Sequence, residues 1–200
     1  NKLLTYPMVT TDNFQFNEKM SYATLEFAKM FRALRSRDVF LDTQSLSSTI
    51  CHLLQSKKRE YRHGGFTLLH HMGDNPRYRT LLNEESKIHS EVIKLVESLS
   101  TNVREDGISH LTMLSRMEAF NGLYFKSPLL LEKLILIFTE ESTFSQQNII
   151  ETFAHLSTKK EGRLFLSSNP RFIDTLNNMR SQFEDESVLI NIEVIRRSTL

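Results

Sequence analysis

The chain has 200 residues, 40% hydrophobic and 24% charged, with a formal net charge of +1. That is the composition of a soluble globular protein, too neutral overall for the field that holds nucleic acid or an anionic membrane, and no apolar run reaches the ~18 residues of a membrane span. The single cysteine, Cys51, excludes an internal disulfide and a multi-cysteine zinc site and suits a reducing, intracellular compartment, cytoplasm or nucleus.

Asn1 to Asn17, with Pro7 and the alternation Asn13-Phe14-Gln15-Phe16-Asn17, reads as an extended leader (residues 1–17). The chain lacks an initiating Met and a signal pattern and reads as a piece of something longer. From Glu18 to Ser36 the apolar spacing is helical, and Arg37 to Asp42 resembles a short helix. Thr43 to Gln55 is a helix through Leu46, Ile50, Leu53 and Leu54. Arg59 to Met72 is a long one, stopped by Gly73-Asp74-Asn75-Pro76. A short helix follows from Arg77, a middle one over Glu84 to Ser100, with Thr101-Asn102 as a cap, and a long one over Val103 to Met117, where Gly107 costs about 1 kcal/mol relative to Ala. Gly122 to Phe125 is the next short helix and Leu129 to Glu140 the next middle one, predicted to be the most buried of the stack. Ser142 to Ser157 is long, with Ser142 or Thr143 as cap. Glu161 to Leu166, Pro170 to Gln182 and Glu184 to Arg196 repeat the order once more. No stretch alternates at period two for long enough to make a sheet. The fold class is all-α.

Apolar triplets at i, i+3, i+6 mark the long helices: Leu25, Ala28, Phe31; Phe66, Leu69, Met72; Leu111, Leu114, Met117; Ile150, Phe153, Leu156; and Leu189, Ile192, Ile195. Their first members stand 41, 45, 39 and 39 residues apart. Self-similarity at this period predicts a stack of helical units, none able to bury its apolar face alone. Short, middle and long helices repeating at about 40 to 42 residues resemble the armadillo repeat. Asn75-Pro76-Arg77-Tyr78-Arg79 and Glu161-Gly162-Arg163 are similar to its N-x-x-N-R short helix. The resemblance covers residues 18–200 and implies a right-handed α-solenoid of about four three-helix repeats.

The resemblance further implies binding through the long helices, which in armadillo families line a concave groove, often with an Asn just before the last triplet member. Here those positions are Met30, His71, Arg116, His155 and Val194, so the groove has a different composition. Residues one turn earlier share the face. This gives a row of Thr67 and His71, Thr112 and Arg116, Glu151 and His155, predicted to contact acidic or polar side chains of a protein partner, with Arg116 as central anchor. Lys57, Lys58, Arg59 and Arg62 form a second candidate surface, a basic patch for an acidic partner.

Catalysis has little support. His63-Gly64-Gly65 is similar to an esterase oxyanion turn, but no G-x-S-x-G accompanies it, and the glycines suit close helix packing. No phosphate-binding glycine motif occurs, so no nucleotide cofactor is implied. Adjacent His70 and His71 point about 100° apart on a helix, a geometry that argues against joint metal ligation. The reading is a non-catalytic protein-interaction scaffold, without cofactor or metal. The alternatives are a regulatory module docking a small GTPase or kinase, as armadillo-like domains of formins do, and a nucleic-acid-binding solenoid, for which the charge is low.

Overall fold

Apolar stripes recurring at helical spacing, punctuated by proline, glycine and serine, leave the backbone only one way to satisfy its hydrogen bonds locally. The computed structural model describes residues 43–126 and 128–199, and no strand occurs among them. In chain order the α-helices are α1 (Thr43–Leu54), α2 (Arg59–Gly73), α3 (Pro76–Glu84), α4 (Ser86–Val96), α5 (Thr101–Ser115), α6 (Asn121–Phe125), α7 (Pro128–Ile137), α8 (Thr143–Ser157), α9 (Lys160–Ser167), α10 (Pro170–Met179) and α11 (Glu186–Ser198). A 3₁₀ turn, Glu118–Phe120, leads into α6. The expected leader, the helices over 18–42, the triplet Leu25/Ala28/Phe31 and Met30 lie outside the described residues.

Proline sits at the first position of α3, α7 and α10, where its missing N–H costs nothing. The Ser142 hydroxyl caps α8 by accepting from the Ser145 N–H (3.3 Å), and the Asp185 carboxylate caps α11 by accepting from the Ser187 N–H (2.8 Å). At α5 the helix starts at Thr101, two residues earlier than a Thr101-Asn102 cap before Val103 predicts. Ser100 is the boundary residue, in extended backbone, and its side chain makes no capping bond.

The helices stack as α1–α2, α3–α5, α6–α8 and α9–α11, an α-solenoid. The long helices α2, α5, α8 and α11 pack one against the next, and the short helices α3 and α6 adjoin in the same way. Gly65 and Gly107, both buried and 42 residues apart, are where long helices press on middle ones. A Cβ at Gly65 would stand 3.1 Å from the Leu54 side chain, and one at Gly107 3.1 Å from Leu95 Cβ. Close approach explains a glycine inside a helix that pure propensity disfavours.

Burial corrects the register of the repeats. Phe66, Leu69 and Met72 are buried, as are Ile150, Phe153 and Leu156, but in α5 the buried triplet is Ile108, Leu111 and Leu114. Met117 lies beyond the end of α5, and its methyl packs on α2 where a Cβ at Gly73 would stand 2.6 Å away. The expected α5 triplet is therefore one helical turn late, and the true spacings from α2 onward are 42, 42 and 39 residues. In α11 the positions matching Ile149, Phe153 and Leu156 are Val188, Ile192 and Ile195, all buried. A second correction concerns α7. Leu130, Leu131 and Leu134 are buried, but Leu129 and Leu136 are exposed, because a middle helix has one side on the outside of the stack.

Leu114 and Phe153 are each 1% exposed, so truncation removes a filled volume that the neighbouring helices cannot close. Leu114→Ala or Phe153→Ala is expected to cost about 2–5 kcal/mol and to melt the stack cooperatively. Chemical denaturation checks this, and a loss under about 1 kcal/mol at both sites would contradict the packing described.

Candidate functional site

Each long helix turns one strip outward, and the 42-residue spacing sets which residues share it. One line is Thr67, Ser109, Glu151 and Ile190; one turn later runs His71, Met113, His155 and Val194. Met113 is 38% exposed, Val194 39% and Ile190 56%, while the polar members are half-buried. Sequence reasoning reached His71, His155 and Val194 but missed Met113 and Ser109, which the slipped α5 triplet replaced with Arg116 and Thr112. The glycines at 65 and 107 carried the signal that fixes the register.

Arg116 nevertheless joins this strip. From the C-terminal end of α5 its guanidinium reaches across to α8, where Nε donates to His155 Nε2 (3.2 Å) and a second nitrogen pairs with Glu151. His155 Nε2 also stands 3.3 Å from the same Glu151 oxygen, closing a three-residue cluster. Partial burial would raise the Glu151 carboxyl, but the hydrogen bond and charge of Arg116, with His155 beside it, outweigh that and hold the pKa below the usual value. The Arg116 side chain remains 58% exposed. Thr112 is placed differently. It is 3% exposed, and its hydroxyl donates to the Asn148 carbonyl (2.9 Å) and meets that of Thr152 (3.1 Å) inside the contact between α5 and α8. Thr67 bonds its own helix, donating to the His63 carbonyl (2.9 Å).

The basic residues around the start of α2 divide into two pairs. Arg62 is 5% exposed, donates to the Ser56 and Lys57 carbonyls (3.1 Å each) and pairs with Asp106 of α5 at 3.0 Å. Arg59 pairs with the same carboxylate at 2.8 Å. Arg104, 42 residues after Arg62, repeats the arrangement one unit on, donating to the Ser98 carbonyl (2.8 Å) and to the buried Glu141 (2.7 Å). Lys57 and Lys58 stay exposed, the latter with its ammonium 5.2 Å from the Tyr61 ring centre.

Behind this junction His110 is buried, stacked on Phe66 with ring centres 4.1 Å apart, and its Nε2 lies 3.3 Å from His63 Nδ1. Burial, then the like charge of His63, push its pKa down to about 4, against the pull of Asp106. Elsewhere, an open pocket of about 460 Å³ is lined by Cys51, Gln55, Ser86, Lys87, Ser90 and Glu91. Burial pushes the Cys51 thiol up, away from the thiolate that reactive chemistry needs. Among the described residues no helix is long and apolar enough to cross a membrane.

No protein-family model matches the sequence, and no curated protein matches it. Solved structures do. A computationally designed armadillo repeat protein for modular peptide recognition superposes with a TM-score of 0.67, at 15% identity, over 94% of this chain and 78% of its own. The chain folds as an armadillo-like helical repeat. Two further designed armadillo repeat proteins agree: one at TM-score 0.62 and 12% identity over 96% of both chains, the other, in complex with the peptide (KR)4, at 0.65 and 14% over 94% of this chain and 77% of its own. Within the armadillo frame the strip residues belong to the long third helices. With the register corrected, the positions before the last triplet member are His71, Met113, His155 and Val194, and none is the Asn expected of the family.

The two halves of the basic patch are expected to respond differently to substitution. Arg62→Ala should cost about 3 kcal/mol, because it removes the buried partner of Asp106. Lys57→Glu with Lys58→Glu should leave denaturant stability within about 0.5 kcal/mol. Equal losses would contradict this division.

His110 gives a pH dependence with a defined sign. The unfolded imidazole protonates near pH 6.5, the folded one only near 4, so between these values the unfolded chain binds more protons. Stability is full above about pH 6.5 and falls as pH drops, by about 3 kcal/mol at the low end. Denaturation at pH 7 and pH 5 should show the loss, and His110→Leu should remove most of it. A slope unchanged in His110→Leu would assign the effect elsewhere, with His89, whose pKa burial also lowers, as the first alternative.

Proposed function

We propose that this armadillo-like solenoid is a non-catalytic, intracellular protein-interaction scaffold that takes an extended segment of a partner protein along the outward strip of its long helices. The observation that carries this is the strip itself. It spans α2, α5, α8 and α11 with exposed Met113, Ile190 and Val194 beside the half-exposed Arg116, Glu151 and His155. Apolar anchors flanked by an arginine held in place by neighbours are what a binding surface concentrates its energy in. The strip is also pre-organised, because each helix bearing it is fixed from behind by its triplet, which lowers the entropy lost on binding. One designed protein of the same fold is itself in complex with a peptide.

The rival surface, the basic patch, is weaker on structural grounds. Arg59 and Arg62 are both engaged with Asp106, so half of the patch is already paired within the fold. Phosphate-tracking surfaces need a line of free cations, so the same pairing argues against nucleic acid.

Arg116→Ala and Ile190→Ser test the reading. Segments selected from a displayed peptide library by the full chain would be titrated calorimetrically against both variants, with circular dichroism to verify folding. Each variant is expected to bind about tenfold more weakly, the loss of one anchor of about 1.4 kcal/mol. Unchanged affinity in both folded variants would move the site off the strip.

A further inference from the structure

Helix α2 ends in a cluster that shares only His71 with the strip. His70, His71 and Asp74 each present a ligand atom, and those atoms all lie within 4.8 Å of one another. The sequence predicts that adjacent histidines diverge by about 100° around the helix, and at the level of Cβ they do. The residue that reconciles them is Asp74, which is i+4 from His70 and i+3 from His71, both same-face spacings. Its carboxylate stands 3.8 Å from His70 Nδ1, and the two imidazoles meet edge to face with centres 5.9 Å apart.

We propose that His70, His71 and Asp74 form a binding site for a divalent transition-metal ion of the zinc type. Two imidazole nitrogens and one carboxylate oxygen are the donor set such ions take, and three protein ligands leave a fourth position for water or a donor from a bound molecule. Metal–ligand bonds of about 2.0–2.2 Å place tetrahedral donors about 3.3 Å apart, so the present spacing has to close by up to about 1.5 Å. Rotation of half-exposed imidazoles and an exposed carboxylate supplies that movement. The backbone under them is already set: the Asp74 N–H donates to the His70 carbonyl (3.2 Å), the Asn75 N–H to that of Met72 (3.0 Å), and Met72 is buried. A helix C-terminus also carries partial negative charge, which favours a cation there.

The fold does not require this trio. The matching positions are Thr112, Met113 and Arg116 in α5 and Ala154, His155 and Thr158 in α8, and both helices end in the same way without it. With one carboxylate, the site is wrong for calcium or magnesium, which take oxygen shells of six or more. The inference is independent of the peptide-binding reading and survives its failure.

Zinc chloride titrated calorimetrically into the full chain tests it, with magnesium chloride as the comparison. One zinc per chain is expected and no magnesium. His70→Ala, His71→Ala and Asp74→Asn should each weaken zinc binding by about tenfold or more, whereas His52→Ala, remote on α1, should not. Circular dichroism separates lost ligation from lost fold. The proposal is overturned if the wild-type chain takes up no zinc, or if the double variant His70→Ala/His71→Ala stays folded and binds zinc as tightly as wild type.

Discussion

Helices α2 and α5 are each held between a middle helix and the next long helix, and α8 between two long ones, and no single contact would keep any of them folded. A triplet such as Ile150, Phe153 and Leu156 covers one stripe, and an isolated helix of 15 residues with one apolar stripe is marginal in water. The stack removes that stripe from water only by adding a neighbour. From this come the glycines at 65 and 107, where two backbones must approach, and the outward strip, which is what remains of each long helix after two sides are covered.

Polar groups follow the same logic. Arg62 and Arg104 each take up carbonyls of the turn that follows the preceding middle helix and reach a carboxylate in the following unit, Asp106 or Glu141. Such a bridge satisfies turn carbonyls and fixes the spacing of units in one step. Its cost is that the arginine is no longer available outside. A basic run in the sequence and a basic surface in the fold are therefore different things. Arg116 is intermediate: it binds Glu151 and His155 across the junction yet keeps an open side.

Helix order, the breaks at Gly73 to Pro76 and at Pro128 and Pro170, and the all-α class were legible because periodicity and turn chemistry are local. The register of α5 was not. Leu111 and Leu114 belong to both the expected and the observed triplet, and a stripe that continues through Met117 looks the same one turn early or late. Only contacts between helices decide it: Met117 against Gly73, Gly107 against Leu95. For the same reason Thr112 entered the candidate row on spacing and is found within the α5–α8 contact. His70 and His71 show that the angle between neighbours around a helix does not by itself set the separation of two long side-chain tips, whose ligand atoms lie with that of Asp74 within 4.8 Å of one another.

The junctions between units are not alike. Between α2 and α5 lie Arg59, Arg62 and the His63–His110 pair; between α5 and α8 lie Thr112 with Thr152 and Arg116 with Glu151 and His155. Gln146 stands 42 residues after Arg104, and the next interval shortens to 39, so the arginine bridge does not recur between α8 and α11. There the packing rests on Val188, Ile192 and Ile195. In a quasi-one-dimensional stack the chemistry of each junction sets how neighbouring units are held, and α8 and α11 stay in close contact. Since α11 carries Ile190 and Val194, the apolar end of the strip is tied to the rest through apolar packing, whereas polar bridges help set the pitch of α2, α5 and α8 like marks on a ruler.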